Sequence, residues 1–461
     1  MTSSATIQKF FHFVRLSSLV IAVGLVSGMH AGAQDKAGIE VEGYVTAVHS
    51  PNGFDVNGRH VTISSATEYA LLGSKASKSG DELKDEIQVG AFVHIDGPAT
   101  GDTIDARMVR IRDNFDKKLD GFGEIDTVVS GGDEPVFQAD GFRIRVTSAT
   151  QVSYHGNLKS LADVNTGVWV HYTGKRDKTA EVAATRAEFF APRNGSAKEA
   201  RANFAAMRAY QDKSGLSTAE LLDADGHLMS VHTKVRYSDA GGNCGWHKVP
   251  ADLALQERVR RVGASVIPAF QRQLAAGDPG RIPFRFYAVD DAKIRSDIFC
   301  NDGLVLVPRQ VVERLKNDDQ LAALLADGVA FYLQVRSARV LAEFRDLLGI
   351  EIAGYVAAVF APGVDIATDI GAGVAQHEIE MKMQEQRGRM ALAMMADAGY
   401  DPWQAPEAWR LVAPKELPRD ADLLKYPSRS GYQLGILNLQ YKRAADNSQA
   451  APAEGAPSAN H

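Results

Sequence analysis

Cysteine is scarce in this chain, and the motifs of several common chemistries are missing. Only Cys244 and Cys300 occur, with no CxxC pair, which excludes a disulfide-rich scaffold and a cysteine-based zinc motif. No GxSxG, P-loop or GxGxxG motif occurs in the context that its chemistry requires. The net charge of −6 provides no basic field for nucleic acid. We therefore expect neither a serine hydrolase, nor a dinucleotide- or P-loop-type enzyme, nor a nucleic-acid partner.

Hydrophobic runs long enough to span a membrane are also missing. A shorter run near the N-terminus predicts an export signal. Lys9 and Arg15 precede the run LSSLVIAVGLVSGM, whose 14 residues are too few for a stable membrane span. Small residues at Ala31 and Ala33 then form an A-x-A cleavage pattern. We predict a signal peptide over 1–33, cleavage after Ala33, and a periplasmic or secreted mature protein. A retained membrane anchor is the alternative.

Residues 38 to about 192 contain an internal repeat with a period of about 80 residues. The segment GYVTAV resembles GEIDTV, DVNGRHVTISSAT resembles QADGFRIRVTSAT, and VGAFVHIDG resembles TGVWVHYTG. In each copy, apolar and polar residues alternate as they do in short strands. Asn57-Gly58 and Asp140-Gly141 lie where hairpin turns need positive φ. The pattern predicts two small β-barrels in tandem, similar to the OB- or SH3-like modules of exported bacterial proteins.

The chain changes character after the repeat. Residues 245 to about 441 have mostly helical periodicity, with short strands predicted at RIPFRFYAVDD and LVLVP. The predicted fold is multidomain, with two small all-β barrels followed by an α+β, mainly helical domain. The predicted divisions are a signal peptide (1–33), β-barrel repeat 1 (38–115), β-barrel repeat 2 (116–193), a helical and β bridge (194–243), the mainly helical domain (245–441) and a disordered tail (442–461).

The order of segments in the helical part resembles the M48 family of zinc metallopeptidases. The strand and helix of DGLVLVPRQVVERL resemble the family's edge strand next to the active site and the helix after it. The segment NDDQLAALLAD resembles the capped start of the active-site helix, and ADAGYDP resembles the turn after the third-ligand helix. The resemblance covers about 245–441 and implies an M48 peptidase-like fold that acts at the cell envelope.

The residues that carry the family's chemistry are absent from this sequence. The family uses HExxH, whose two histidines bind zinc and whose glutamate activates the metal-bound water, together with a glutamate from a later helix. On the resemblance, the first histidine falls on Asp327, the glutamate on Gly328, the second histidine on Phe331 and the third ligand on Gln384. The family also has an aspartate four residues after the third ligand, and Gly388 occupies the matching position here. One carboxylate does not hold zinc at physiological levels, so we predict a catalytically inactive domain without a metal cofactor.

A lost active site does not remove the groove in which such a peptidase holds its substrate. An extended peptide binds there by adding a strand to a sheet edge, which needs backbone hydrogen bonds and not zinc. We therefore predict binding of an extended peptide or an envelope protein. The predicted edge comprises Gly303, Leu304, Val305, Leu306 and Val307.

Two other functions stay open from the sequence. One is an active metalloendopeptidase with a non-standard site, in which Asp327, His377 and Glu385 would hold zinc. The other is a binding module formed by the barrels, for cell-wall glycan or a partner protein, with the helical domain as a scaffold.

Two further features follow from the predicted export and from the apolar composition. Cys244 and Cys300 can form a disulfide outside the cytoplasm, and two separate buried thiols are equally compatible with the sequence. The apolar segment that follows Ile350 contains an uninterrupted run of 13 residues, too short to span a membrane. It predicts either a buried helical hairpin or a flap that makes peripheral contact with a membrane or a partner.

Overall fold

A computed structural model describes the chain over the following residues: 38–49, 51–72, 80–112, 119–176, 181–191, 234–236, 246–248, 250, 252–275, 278, 280–290, 298–300, 303–348, 370–412 and 425–441. The predicted signal peptide, the apolar segment that follows Ile350 and the predicted tail lie outside the described residues. Among the described helices, none is both long and apolar enough to cross a membrane.

The first β-rich unit contains a closed five-stranded barrel. Its elements are β1 (Gly38–His49), β2 (Gly53–Val56), β3 (Arg59–Thr62), β4 (Glu68–Leu72), α1 (Gly80–Lys84), β5 (Phe92–Thr100), β6 (Thr103–Asp105) and β7 (Met108–Arg112). The strand order is β1-β2-β3-β6-β5, and β5 closes the barrel by pairing antiparallel with β1. The strands β7 and β4 extend the sheet beyond β5. Closure removes the free edges that would otherwise invite pairing with other chains.

The second unit repeats this topology. Its strands are β8 (Leu119–Ser130), β9 (Val136–Ala139), β10 (Phe142–Arg145), β11 (Gln151–His155), β12 (Trp169–Arg176) and β13 (Val182–Phe190). The order β8-β9-β10-β13-β12 is closed by pairing of β12 with β8. The single strand β13 pairs with both β10 and β11. It therefore occupies the positions that two separate strands, β6 and β7, occupy in the first unit, where they pair with β3 and β4. The internal repeat of the sequence is thus a repeat of strand pairing.

The hairpin turns of the two barrels have the backbone conformation that the sequence predicts. Asn57 and Gly58 have φ of 49° and 73°, and Asp140 and Gly141 have φ of 56° and 72°. Two consecutive residues with positive φ form the turn that matches the twist of a two-residue hairpin, and Asn, Asp and Gly tolerate it best. This prediction is confirmed at all four positions.

The later part of the chain is mainly helical. Its helices are α2 (Leu253–Ser265), α3 (Ala269–Gln273), α4 (Arg309–Arg314), α5 (Asp318–Leu348), α6 (Ile370–Asp397), α7 (Gln404–Val412) and α8 (Ser428–Gln440). It also contains the short pair β14 (Lys234–Arg236) and β15 (Trp246–Lys248), and a sheet of β16 (Arg285–Val289), β17 (Ile298–Cys300) and β18 (Leu304–Pro308). The predicted order of a β-rich region with a closed barrel before a helical region is confirmed.

The helix α5 is the centre of the helical part. Its start is fixed by Asn317, whose Oδ1 accepts a hydrogen bond from the backbone N–H of Gln320 at 2.9 Å, as the capping pattern predicts. From Leu321 to Ala330 every residue is buried. The reason is that α2, α6 and α7 all pack against this helix. A helix covered on all sides shows no polar face in its sequence, which explains the nearly continuous apolar run of LAALLADGVA.

The barrels and the helices are packed into one another. Tyr44 and Phe92 of the first barrel belong to the same buried apolar cluster as the helices α5, α6 and α8. At Gly431 of α8, an added Cβ would lie 2.8 Å from the side chain of Tyr44. At Gly141 of the second barrel, it would lie 2.6 Å from the backbone of Arg389 in α6. Such close approaches require glycine, and they show that both barrels contact the helices through backbone as well as side chains.

A buried ion pair joins the second barrel to α5. Arg336 of α5 pairs with Glu124 of β8, and its guanidinium lies 5.0 Å from the ring centroid of Trp169. Burial raises the pKa of Glu124 from 4.5 to about 6, although Arg336 acts in the opposite direction. The desolvation penalty of the Glu124 carboxylate therefore exceeds the stabilisation that the ion pair with Arg336 provides.

The raised pKa predicts a pH dependence of stability that Glu124→Gln removes. The folded protein holds this proton more tightly than the unfolded chain, so stability is fully present below about pH 4.5 and is lost as the pH rises through about 6. The change corresponds to roughly 2 kcal/mol. The free energy of urea unfolding of the wild type, minus that of Glu124→Gln, should fall by this amount across the interval. The subtraction cancels groups common to both proteins, so a flat or rising difference would contradict the assignment.

Candidate functional site

The structure brings together three of the positions that the M48 resemblance assigns to an active site. Asp327 lies in α5, and Gln384 and Gly388 lie in α6, and all three line one small cavity between these helices. Tyr44 of the first barrel closes the cavity on a further side. Gly328 and Phe331 do not line it. Phe331 instead packs at the margin of the apolar core, with its ring 5.4 Å from that of Tyr332.

Both carboxylate oxygens of Asp327 contact arginine side chains. Its side chain is 2% exposed, and its Oδ1 accepts a hydrogen bond from Arg387 Nε at 3.0 Å. Its Oδ2 lies 3.4 Å from Nη2 of Arg429, a residue of α8 whose guanidinium also lies 3.4 Å from the ring centroid of Trp409. Each carboxylate oxygen therefore faces a guanidinium. The cationic partners of this carboxylate are thus supplied by the protein itself.

Glu385, the neighbour of Gln384, is held by the first barrel. The hydroxyl of Tyr44 donates a hydrogen bond to its Oε1 at 2.9 Å, and Arg112 forms an ion pair with the same oxygen. Burial raises the pKa of Tyr44 above its ordinary value, with the charge of Glu385 adding to the effect, so the hydroxyl keeps its proton and stays a donor. Both carboxylates that line this cavity thus have cationic partners within the chain.

The first barrel closes the cavity with an aromatic cluster that sequence reasoning missed. The ring of Tyr44 meets Phe92 at 5.1 Å and Tyr432 of α8 at 5.7 Å, both in edge-to-face geometry. The guanidinium of Arg112 lies 5.1 Å from the ring centroid of Phe92. Alternation in β1 and β5 identifies these residues as buried, but it does not indicate that they contact helices more than 300 residues later in the chain.

The predicted edge strand is not at an edge. Leu304, Val305, Leu306 and Val307 belong to β18, which lies between β16 and β17 in the order β16-β18-β17. Gly303 precedes the strand in a turn with φ of +82°. The prediction of an exposed edge at these residues was wrong. The short strand β17 folds back and pairs antiparallel with the first three residues of β18, and all five predicted residues are buried.

Two other sequence predictions concern residues that the structure describes only in part. Cys244 lies outside the described residues, and only the backbone of Cys300 is described, so the disulfide stays a prediction. The side chain of His377 is likewise not described. The alternative metal site also needs Asp327 and Glu385, and these already bind arginine and tyrosine side chains.

A second cluster of potential ligands lies on the outer face of the first barrel and was also missed. His49 Nε2 is 3.0 Å from Asp55 Oδ2, and His60 Nδ1 is 2.8 Å from Asp55 Oδ1. A signal was present in the sequence, because Asp55 and His60 flank the predicted Asn57-Gly58 turn. Residues that flank a two-residue hairpin in this way lie opposite one another and point to the same face.

The comparisons with known proteins concern the first barrel. No curated protein matches the chain. Residues 42–109 match a family described as a domain of unknown function (DUF5666). The match runs from β1 into β7 and includes His49, Asp55 and His60, but none of the helical region. Over its first barrel, this chain is therefore similar to the DUF5666 family.

Proposed function

We propose that the protein is an exported, catalytically inactive relative of M48 peptidases that binds peptides or partner proteins at the cell envelope. The observation that carries the proposal is the buried contact of Asp327 with Arg387 and Arg429. At the position that resembles the first zinc ligand, the carboxylate is neutralised by two guanidinium groups. A site of this charge and shape neither needs nor attracts zinc, and Gly328 stands at the position of the family's general base.

The helical packing supports the family relationship. The capped start of α5 at Asn317 and the meeting of Asp327 with Gln384 and Gly388 agree with the order of segments on which the resemblance rests. Family resemblance and packing together favour a retained peptidase-like fold with a substituted site. A retained fold does not by itself carry a function, so binding must be tested directly.

The binding surface that we propose is the outer side of β17. Because β18 is paired on both sides, an extended peptide that joins this sheet must pair with an outer strand. The helix α5 packs against β17 and β18, whereas α2 packs against β16. The edge of the sheet formed by β17 is therefore the one in contact with α5, the helix that lines the cavity together with α6.

Unfolded, fluorescein-labelled casein tests both parts of the proposal with one probe. We expect no release of label with or without a zinc chelator, and an increase in fluorescence anisotropy on binding. Phe299→Pro removes a backbone N–H from β17 and should weaken binding at least about tenfold if strand addition holds the probe. Leu253→Pro is the matched control, because proline is tolerated at the first position of a helix such as α2.

The outcomes separate the alternatives. Cleavage that the chelator abolishes would overturn the proposal in favour of an active metallopeptidase. Binding that Phe299→Pro leaves unchanged, in a variant that keeps its circular dichroism spectrum and melting temperature, would place the bound peptide elsewhere. The barrels are then the second candidate, favoured by the cluster of His49, Asp55 and His60 on the face of the first barrel.

A further inference from the structure

The first barrel carries two imidazoles and a carboxylate within reach of a single ion. One potential ligand atom from each of His49, Asp55 and His60 lies within 4.8 Å of the others. Among the described residues, no other group of three or more His, Cys, Asp or Glu side chains comes this close together. The three residues come from three neighbouring strands, β1, β2 and β3.

Strand pairing explains how the three side chains meet. Asp55 lies directly opposite His60 in the β2–β3 pair, and His49 lies opposite Gly53 in the β1–β2 pair. The alternate residues of β2, Phe54 and Val56, are buried in the barrel core, so Asp55 points to the outer face.

Gly53 makes room for the cluster. A Cβ at this position would lie 2.6 Å from the backbone oxygen of Val61 and 3.0 Å from both Cε1 and Nε2 of the His60 ring. A larger residue opposite His49 would therefore displace the second imidazole. The absence of a side chain at Gly53 lets both histidine rings approach the same carboxylate.

We propose that His49, Asp55 and His60 bind one divalent transition-metal ion, with Zn²⁺ as the representative of the class. Two imidazole nitrogens and one carboxylate oxygen form a donor set that zinc and similar ions prefer, and three protein ligands leave a position for water or a further ligand. The side chain of Asp55 is 13% exposed and that of His49 is 52% exposed. The site is therefore anchored in the barrel wall and open to solvent on one side.

The second barrel shows that this cluster is not needed for folding. The pairings of β8, β9 and β10 repeat those of β1, β2 and β3, except that a second bulge follows Val128, so that Ser130 pairs with Val136 where His49 pairs with Gly53. At the equivalent positions the second barrel has Ser130, Gln138 and Arg143. A barrel of the same topology forms without any of the three ligands. Their convergence in the first barrel is thus a property of that copy, which favours a function over a structural requirement.

The charges around the cluster are compatible with a cation. Both oxygens of the Asp55 carboxylate face imidazole nitrogens, at 3.0 Å from His49 Nε2 and 2.8 Å from His60 Nδ1. Lys425 lies near enough to act on Asp55, and its Nζ is itself paired with Asp102 at 3.2 Å. One ammonium group therefore faces two carboxylates.

Isothermal titration calorimetry of the full-length protein with ZnCl₂, after treatment with EDTA and dialysis, tests the proposal. At about pH 7.5, wild type should bind one equivalent. The triple variant His49→Ser/Asp55→Gln/His60→Arg carries the residues of the second barrel and should lose this binding. His49→Ser alone changes an exposed ligand and should weaken binding at least about tenfold, the smallest loss expected even for a residue that only supports a metal ligand. His94→Gln, another histidine of the first barrel, should bind as wild type does.

A second readout does not depend on heats of binding. Zn²⁺ should raise the melting temperature of wild type and of His94→Gln, and it should not raise that of the triple variant. Equal Zn²⁺ binding by wild type and the triple variant would assign the metal to other groups, such as the cysteines, and would overturn the proposal. The absence of binding in wild type would overturn it as well.

Discussion

Replacement of Asp327 by asparagine is expected to destabilise the protein by about 3 kcal/mol, although it removes no atom of the apolar core. The substitution leaves two guanidinium groups, those of Arg387 and Arg429, facing a neutral amide at a site where Asp327 is 2% exposed. Removal of one partner from a buried ion pair costs more than the pair contributes, because the remaining charge stays desolvated. The measurement is the free energy of unfolding in urea.

Asp318 provides a matched control in the same helix. It also pairs with two arginines, Arg258 at 2.7 Å and Arg261 at 2.6 Å, but its side chain is 33% exposed. Asp318→Asn should therefore cost only about 1 kcal/mol, since solvent screens the pair. If the two variants were equally mild, the proposal of an inactive peptidase-like domain would lose its main support, which is the neutralisation of Asp327 by arginine.

Replacement of Arg389 by methionine is expected to cost about 3–5 kcal/mol, the largest effect that we predict. Arg389 lies in α6 and donates to Asp140 Oδ2 at 3.0 Å and to the hydroxyl of Tyr432 at 2.9 Å. Its guanidinium lies 4.1 Å from the ring centroid of Phe142. Both charged partners are buried, so the variant leaves Asp140 without its cation at the contact between the second barrel and the helices.

The pH dependence of this loss identifies its cause. Burial raises the pKa of Asp140 above its ordinary value, while Arg389 holds it down. Without Arg389 the pKa rises further, so the penalty is present at neutral pH and shrinks as the pH falls and the carboxyl takes up a proton. The difference in unfolding free energy between wild type and Arg389→Met should therefore narrow toward acid pH. A loss that does not change with pH would indicate altered packing in place of an unpaired charge.

Two further variants isolate the ion pair. Asp140→Asn removes the charge and keeps a residue that tolerates the positive φ of this turn, so the cost of Arg389→Met should be smaller in that background. Arg107→Met removes an exposed pair with Asp96, in which the arginine is 63% exposed, and should cost less than about 1 kcal/mol.

The contacts at Asp140 and Tyr44 affect how function can be assigned. Both barrels share buried groups with the helices, so a truncation between them would expose Tyr44, Phe92 and Arg389. A truncated half that failed to bind would not distinguish loss of a site from loss of folding. Point substitutions in the full chain, at β17 and at the His49 cluster, separate the two candidate binding surfaces without that ambiguity.

Local features of the fold were predictable because they depend on neighbouring residues. The positive φ of Asn57-Gly58 and Asp140-Gly141 follows from the steric freedom of these residue types, and the start of α5 follows from the hydrogen bond that Asn317 accepts. The position of β18 was not predictable. Its apolar sequence is compatible with a central or an edge position in the sheet. The strand is central because the three residues of β17 pair with its free side.

The sequence by itself determined the repeat, the order of a β-rich region before a helical one, and the absence of an HExxH motif. Only the tertiary structure decided the surroundings of Asp327, because this residue contacts arginines 60 and 102 residues away in the sequence. The physical reason is one of range. Turn geometry, capping and alternation act over a few residues, whereas the environment of a buried charge depends on which distant elements pack against it.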